Sequence, residues 1–488
     1  MRVLVMGTGY VGLSHAAVLA EYGHEVYAYD IDQVRIAAYQ SGEAAQIERY
    51  VNEPGLSALI RENLERRLFF RTEIGDLANS AEIVFFCINT PSQPDGSTDL
   101  SNYLAAAHHL ATLLVQREPK NRVLLVTKST VPIGTARLLQ EVMDYHAVEN
   151  FGVASNPEFL PQGNAVEGSR RPDRVVVGAD TAEDFQLLRH LYAQFVNHVR
   201  IRYLETTPET AEAIKYVSNA ILLTYISFWN GVGARLGERF ANIRMEDLRS
   251  GVTSDGRIST WGSYVSNGAG GSCLDKDILS LIYQLHQTST PTDLLRAVYQ
   301  INGYQKSYLL DRAAQEMQFG FNQKTVALLG LAFKKRTNDM RNSAALKVVE
   351  SLLARGVKSI RAYDPLANDE AQRTWFNPDK NYLFERIVYC RTPQEALAGS
   401  DALFISTDWE EFRGLSTVIQ ETVQPPYLIM DGRRMISDHD QLVAKGYDYI
   451  SVGGPAQQSA RAEAEMPLRR VQAGRNGVNP YVNHALSR

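Results

Sequence analysis

An α/β fold, with two doubly wound parallel sheets joined by a long central helix, is predicted by three observations. Short apolar strand-like runs alternate with helical patterns from residue 2 to about residue 177. The same alternation returns from Lys324, where VALLGLAF echoes the opening VLVMGTGY and IRAYD echoes VYAYD. Between them, from Thr207 to about Phe240, a helical pattern runs on with little strand signal.

Residues 2–6 (RVLVM) read as a buried strand, GTGYVG as a turn, the stretch through Leu19 as a helix, and 24–29 (HEVYAY) as a second strand. Runs at 83–88, 123–128, 151–155 and 174–177 extend this first sheet. In the long helix Thr207 is a cap, Pro208 suits the first turn, and Glu209 and Glu212 suit the positive end of the dipole. It is too long for one small domain to cover, so it is expected to link two domains and bury its far face against a second subunit. Runs at 325–329, 359–363, 402–406 and 427–430 form the second sheet. The resulting division is a Rossmann-like domain at 1–203, a central helical region at 204–305, a second Rossmann-like domain at 320–454 and a flexible tail at 455–488.

Composition narrows the function classes. The 488 residues are 44% hydrophobic and 22% charged, which excludes wholesale disorder. A net charge of -5 gives no general basic footprint for nucleic acid. No run of 18 apolar residues predicts a membrane span. The apolar N-terminus resembles a short signal peptide, but glycines interrupt it at a spacing with a better explanation. Three cysteines make no disulfide scaffold and suit a reducing compartment, so a cytoplasmic location is expected. No metal site is expected.

The better explanation is G-x-G-x-x-G, formed by Gly7, Gly9 and Gly12 with Tyr10 and Val11 between, directly after a strand and before a helix. The glycines permit the tight turn, let the backbone approach a pyrophosphate, and let helix and strand pack closely. Asp30 closes the second strand, where a carboxylate accepts hydrogen bonds from ribose hydroxyls. It would repel a 2′-phosphate, so NAD is favoured over NADP, with Arg35 weakening that preference slightly.

A second cluster is NGAGGSCLDKD, at 267–277. Three glycines, among them Gly270, would let a ligand approach the backbone. A helix starting near Cys273 would favour its thiolate, Lys276 adds positive charge, and Asp277 lies one turn on. Cys87 and Cys390 read as buried filler. Lys215 and Asn219 share one face of the long helix, in a row that continues with apolar residues, so both need a polar partner or a ligand. Thr90, Thr130 and the segment Glu158, Phe159, Leu160 follow strands, in the loops that surround the ligand crevice of open α/β sheets. In the second sheet Lys334 follows a strand without a full glycine pattern, which points to phosphate anchoring, with Arg433 placed to join it.

Together these pieces resemble the UDP-glucose/GDP-mannose dehydrogenase family. GTGYVG with Asp30, NTPS, STVPIGT, NPEFL, EAIKYVSNA, GGSCLDKD, GLAFKKRTNDMRNS and MDGRR run in the family's order from residue 1 to about residue 453. The resemblance implies a four-electron oxidation of a nucleotide-sugar C6 alcohol to the carboxylate with NAD, most simply of UDP-glucose. It makes Cys273 the nucleophile, through a thiohemiacetal and a thioester. It makes Lys215 and Asn219 the oxyanion pair, Asp277 the carboxylate that orients water, and Glu158 and Thr130 the proton-handling and water-positioning groups. Phe159, Leu160 and Gly270 would line the sugar. Lys334 and Arg433 would hold the UDP end, and Arg257 would reach across to substrate. Arg341 and Lys276 would reach NAD, with Gln162 near it. The long helix would form the core of a homodimer or higher homo-oligomer.

Four positions depart from the family pattern: Gln162 stands where an acid is usual, Asp275 where proline or glutamine is common, Arg336 where an acidic or polar residue is usual, and Gly454 where arginine is frequent. They leave open GDP-mannose or a UDP-N-acetylhexosamine as substrate. A plain two-electron dehydrogenase and a non-catalytic sensor of NAD or nucleotide sugar also remain as alternatives.

Overall fold

The computed structural model describes residues 1–118, 121–240 and 242–459. Its first sheet has eight strands: β1 (Arg2–Met6), β2 (Glu25–Tyr29), β3 (Leu68–Arg71), β4 (Ile83–Phe86), β5 (Val123–Thr127), β6 (Phe151–Ser155), β7 (Arg174–Ala179) and β8 (Arg202–Thr206), in the order β3-β2-β1-β4-β5-β6-β7-β8. The second has six: β9 (Thr325–Leu329), β10 (Ser359–Tyr363), β11 (Ile387–Tyr389), β12 (Ala402–Ile405), β13 (Leu428–Asp431) and β14 (Asp448–Ser451), in the order β11-β10-β9-β12-β13-β14. The first six strands of one sheet and all six of the other therefore share one winding, which reverses beside the opening strand. That reversal is where open α/β sheets bind ligands.

One pairing departs from the expected parallel sheet: β6 and β7 are antiparallel. The chain turns back after β6 through the 156–170 loop and a short helix, Ala165–Arg170, instead of making a full crossover.

Five helices position the site. α1 (Tyr10–Glu21) follows β1, and α2 (Thr135–Tyr145) follows β5. α3 (Pro208–Phe228) is capped by the Thr207 side chain, which accepts from the Thr210 N–H; such a cap is worth about 1 kcal/mol. The expected helix to residue 240 is interrupted by a π-helical turn, Trp229–Gly233, before Ala234–Arg239 completes it. There Asn230 Oδ1 accepts the Ser266 N–H at 2.8 Å. α4 (Leu274–Gln287) and α5 (Asp293–Glu316) pack on α3 through Leu223, Ile278, Ile282 and Val298. Emptying that contact by Leu223→Ala would cost about 2–5 kcal/mol.

α5 then enters the core of the second sheet with Leu309, Leu310 and Ala313. A buried polar knot fixes the halves together: Glu238 accepts from Tyr308 Oη at 2.9 Å and from the Gly453 N–H at 3.0 Å, and faces Arg312 at 3.3 Å.

The second sheet repeats the first turn with a different ending. The Gly7 N–H donates to Tyr29 O and the Gly330 N–H to Tyr363 O, both at 2.8 Å, with φ of 94° and 93°. The carboxylate that closes β10, Asp364, is filled by the N–H groups of Leu331, Ala332, Leu366 and Ala367 and by Trp409 Nε1 at 3.0 Å. The start of the expected tail is tied down as well. Gln457 exchanges two backbone hydrogen bonds with Tyr449, and the Ser459 N–H donates to Asp448. The rest of the tail, 460–488, lies outside the described residues.

Candidate active site

The glycine turn fits a dinucleotide. A Cβ at Gly12 would lie 1.9 Å from Gly7 O, and one at Gly7 would lie 2.5 Å from Cys87 O, so both positions need bare backbone. A Cβ at Gly9 would meet nothing within 4 Å and would project into the space that phosphates require. Gly9 caps α1 with no side-chain bond, leaving the first N–H groups at Tyr10 and Val11 to face an anion. Asp30 accepts the N–H and hydroxyl of Thr8, each at 2.8 Å, and pairs with Arg35 at 3.1 Å. Burial would raise its pKa, but these bonds, the Asp32 N–H and the Arg35 charge hold it below the usual carboxylate range. Thr90 Oγ1 donates to Thr130 O at 2.7 Å, joining the loops after β4 and β5 at the sheet's reversal.

Cys273 caps α4, and its carbonyl accepts the Asp277 N–H at 2.8 Å. The residue is exposed to the cleft. Its thiol is nevertheless pushed up, first by the surrounding protein and then by Glu158, against the opposing charge of Lys215.

Two polar pairs lie within electrostatic reach of the thiol. Lys215 Nζ lies 2.8 Å from Glu158 Oε1, and both side chains are less than 10% exposed. Burial alone would raise Glu158 and lower Lys215; each holds the other in its charged form. The Leu160 N–H also donates to Glu158, at 2.6 Å. One turn along α3, Asn219 Nδ2 donates to Asp277 Oδ2 at 2.5 Å, and Asp277 Oδ1 faces Lys276 at 2.7 Å. Lys276, expected to reach NAD, is ion-paired with Asp277 but its Nζ makes no hydrogen bond there.

Other predicted residues converge on the same cleft. Tyr10, Lys334 and Arg341 all lie close enough to feel the charge of Cys273. Arg341 is held by Asp339 at 2.6 Å. Arg433 Nε donates to Ser406 O at 2.8 Å and its guanidinium to Phe333 O at 3.2 Å, bracing the loop that carries Lys334. Gln162 reaches across to Thr337 Oγ1 at 3.4 Å, closing the first domain on the second. The Phe159 ring lies under Arg174 at 4.0 Å and beside Lys215 at 5.5 Å.

One expectation is corrected. The room freed by Gly270 and Gly271 is taken by protein: a Cβ at Gly270 would lie 2.8 Å from Asn342 O and from Phe333 Cβ, and the Gly271 N–H donates to Arg341 O. These glycines let the cysteine loop meet the second domain. Arg257 is not brought to the cleft of its own chain; its side chain is 89% exposed and pairs with Asp255.

The structure adds residues that the motifs did not single out. Glu53 is buried and accepts the Gly163 and Ala165 N–H groups, fixing the loop after Leu160. Lys128 directly follows the buried strand β5 and donates to Asn156 Oδ1 at 3.0 Å, and burial lowers it to about 8. Asp275, one of the departures, is held by Lys306 at 2.7 Å and Asn302 at 2.8 Å, and Asn302 also grips Ala269 by both backbone groups. Glu212, read as a first-turn acid, turns inward instead. A lysine at the end of an apolar strand and an acid one turn before Lys215 were the available signals; Glu53 gave none. Among the described residues no group of three or more His, Cys, Asp or Glu could hold a metal ion, and no helix is long and apolar enough to cross a membrane.

A glycine-turn dinucleotide site facing an ion-paired lysine, a carboxamide and a cysteine defines an NAD-dependent dehydrogenase that uses a thiol. Comparison with known proteins takes this one step further. Residues 1–196 match the NAD binding domain of the UDP-glucose/GDP-mannose dehydrogenase family, 209–304 its central domain and 327–438 its UDP binding domain. A UDP-glucose 6-dehydrogenase of Pseudomonas aeruginosa is 36% identical over 95% of this chain and 100% of its own length. One of Bacillus subtilis is 35% identical over 93% and 98%. The structure of a UDP-glucose dehydrogenase from Pyrobaculum islandicum superposes with a TM-score of 0.81 at 31% identity, covering 91% of this chain and 96% of that one. The chain belongs to the UDP-glucose/GDP-mannose dehydrogenase family.

Proposed function

We propose that the protein oxidises the C6 alcohol of UDP-glucose to the carboxylate of UDP-glucuronate, by way of an adduct on Cys273. The observation that carries this reading is the exposed Cys273 thiol within electrostatic reach of the Lys215–Glu158 pair and of Asp277, which holds Asn219, in a chain that UDP-glucose 6-dehydrogenases match over 93% and 95% of its length. NAD, when bound, supplies the hydride acceptor for both oxidations. Gly7, Gly9, Gly12 and Asp30 would hold it, with Thr90, Arg341 and Gln162 nearby.

The residues have separate tasks. Loss of a hydride and the hydroxyl proton turns the alcohol into an aldehyde. The Cys273 sulfur then bonds to the carbonyl carbon, and the thiol's proton ends on the alkoxide oxygen. A second hydride and that hydroxyl proton leave, giving a thioester. Water attacks, the carbon–sulfur bond breaks, and the sulfur takes a proton as the carboxylate departs. The Lys215 ammonium and the Asn219 amide supply donors to the oxygen each time it gains charge. Glu158 handles the water's proton, Thr130 positions the water, and Asp277, which also holds Asn219, orients that water for attack. Lys334 and Arg433 serve the diphosphate, and Phe159 and Leu160 the sugar.

The test is NADH formed per sugar for the wild type and Cys273→Ser. Two NADH with a carboxylate from UDP-glucose, lost in the serine variant, is expected; one NADH, or a serine variant that completes both oxidations, would overturn the thioester route. A second reading keeps the chemistry and changes the sugar to a UDP-N-acetylhexosamine. It is favoured by the Pyrococcus horikoshii UDP-D-ManNAc dehydrogenase, whose structure superposes with a TM-score of 0.77 at 26% identity. Running the same assay on that substrate and on GDP-mannose decides between them.

We further infer a homodimer built on α3. Val217, Ile221, Phe228 and Val232 form an exposed apolar stripe, 45–62% accessible, along α3 and its π-helical continuation. Arg257, outside its own cleft, would then serve the substrate of the second copy. A cytoplasmic location suits a mechanism that needs a reduced cysteine.

A further inference from the structure

Glu212 lies one turn before Lys215 on α3, with its side chain buried, and is used by none of the steps above. Its Oε2 accepts the Gly134 N–H at 2.6 Å. Its Oε1 accepts the Ala136 N–H at 2.9 Å and Ser155 Oγ at 3.1 Å. The carboxylate thus caps α2 from another element and closes the loop that carries Thr130. Through Ser155 it also grips the end of β6, three residues before Glu158. A small cavity of about 10 Å³, the size of one water, lies between this carboxylate, Thr130, Ser129, Ser155 and Lys215.

We propose that Glu212 is a positioning residue for the hydrolytic half of the reaction: its carboxylate registers the Thr130 loop and the strand leading to Glu158 on the helix turn that carries Lys215. This rests on the reading above, because Thr130 and Glu158 matter only if a thioester must be cleaved. Ionised, Glu212 satisfies all its donors. Protonated, one oxygen becomes a donor itself, facing donors. Burial raises the group to about 7, against the Gly134, Ala136 and Ser155 bonds, so this change falls in the working range. The titratable and charged groups around it are Glu209 and Lys215 on its own helix and Tyr103 from the helix preceding β5; Arg137 on α2 is engaged by Asp180 and Glu209.

The test compares wild type, Glu212→Gln and Ser155→Ala. Hydrogen exchange over 129–136 needs no substrate, and in Glu212→Gln it should quicken there and not elsewhere. With UDP-glucose, kcat should fall about 10- to 100-fold, as a small misplacement of reacting groups does. KM for sugar and NAD should stay within about threefold, and mass spectrometry should find the sugar held on Cys273 during turnover. Wild-type kcat should drop as pH falls through about 7. Ser155→Ala, which removes one bond favouring the ionised form, should move that limb to higher pH. Unchanged exchange, unchanged kcat, or exchange that quickens across the whole first domain would each overturn the proposal. A wild type that does not turn over UDP-glucose would sink the functional reading, while the exchange result would still decide whether Glu212 holds the loop.

Discussion

Lys215 and Glu158 form a buried ion pair at 2.8 Å, with Lys128 adding to the field on Glu158 and Asp277 to that on Lys215. Removing one leaves a charge stranded, which typically costs about 3–5 kcal/mol. Lys215→Met should therefore lower thermal stability sharply and abolish turnover, while Lys215→Met with Glu158→Gln should recover much of the stability and none of the turnover. Calorimetry and NADH release check both. The pH window follows from the directions. Glu158 is depressed, so its contribution is present above its ordinary 4.5 and lost as pH falls further. Lys215 is raised, so its contribution is present below its ordinary 10.5 and lost only as pH climbs beyond that.

The Cys273 thiol is raised by burial first and Glu158 second. Alkylation of the free enzyme by iodoacetamide should accelerate with pH beyond the ordinary 9.0 of a thiol. Glu158→Gln should bring that profile to lower pH and speed alkylation at pH 8 by about 3- to 10-fold, because the thiolate fraction sets the rate. A slower variant would refute the assigned cause.

Asp30 selects against a 2′-phosphate, and Arg35 already stands beside it. Asp30→Ser removes one of the two carboxylates that hold that guanidinium, leaving Asp32 at 3.4 Å. The ratio of kcat/KM for NADP over NAD should rise about 100-fold, as expected when a repelling carboxylate gives way to a hydroxyl beside an arginine. Steady-state kinetics with both cofactors measures it.

The apolar stripe on α3 predicts an assembly defect. Ile221→Asp or Phe228→Asp should yield monomers by light scattering, with the secondary structure retained. Dimers of unchanged mass would remove the stripe from the interface.

Much of this was legible in the sequence. β1, β6, β9 and β10 are short apolar runs next to glycine turns or clear helices, and they read directly. β3, β8, β11 and β14 did not. β8 is RYLET, an edge strand with exposed and half-buried positions, and β11 is only Ile387–Tyr389. Cys273, Lys215 and Asn219 stood out because polar groups in apolar or glycine-rich settings need partners. The partners themselves are long-range: Asn219 meets Asp277, and Glu212 meets Gly134, only after separate elements pack. The cysteine-loop glycines were assigned to a ligand because spacing cannot tell a close-packed substrate from a close-packed neighbouring loop.

Trp409 donates its indole N–H to Asp364, so the second sheet keeps the architecture of a dinucleotide seat while blocking the place a ribose would take. One chain can then carry one coenzyme at a time, although the proposed reaction consumes two. Spent carrier must be traded for fresh midway, with the cleft open to solvent during the exchange. A half-oxidised sugar is an aldehyde, able to wander off and react with any amine in the cell. The sulfur of Cys273 acts as a leash across that interval.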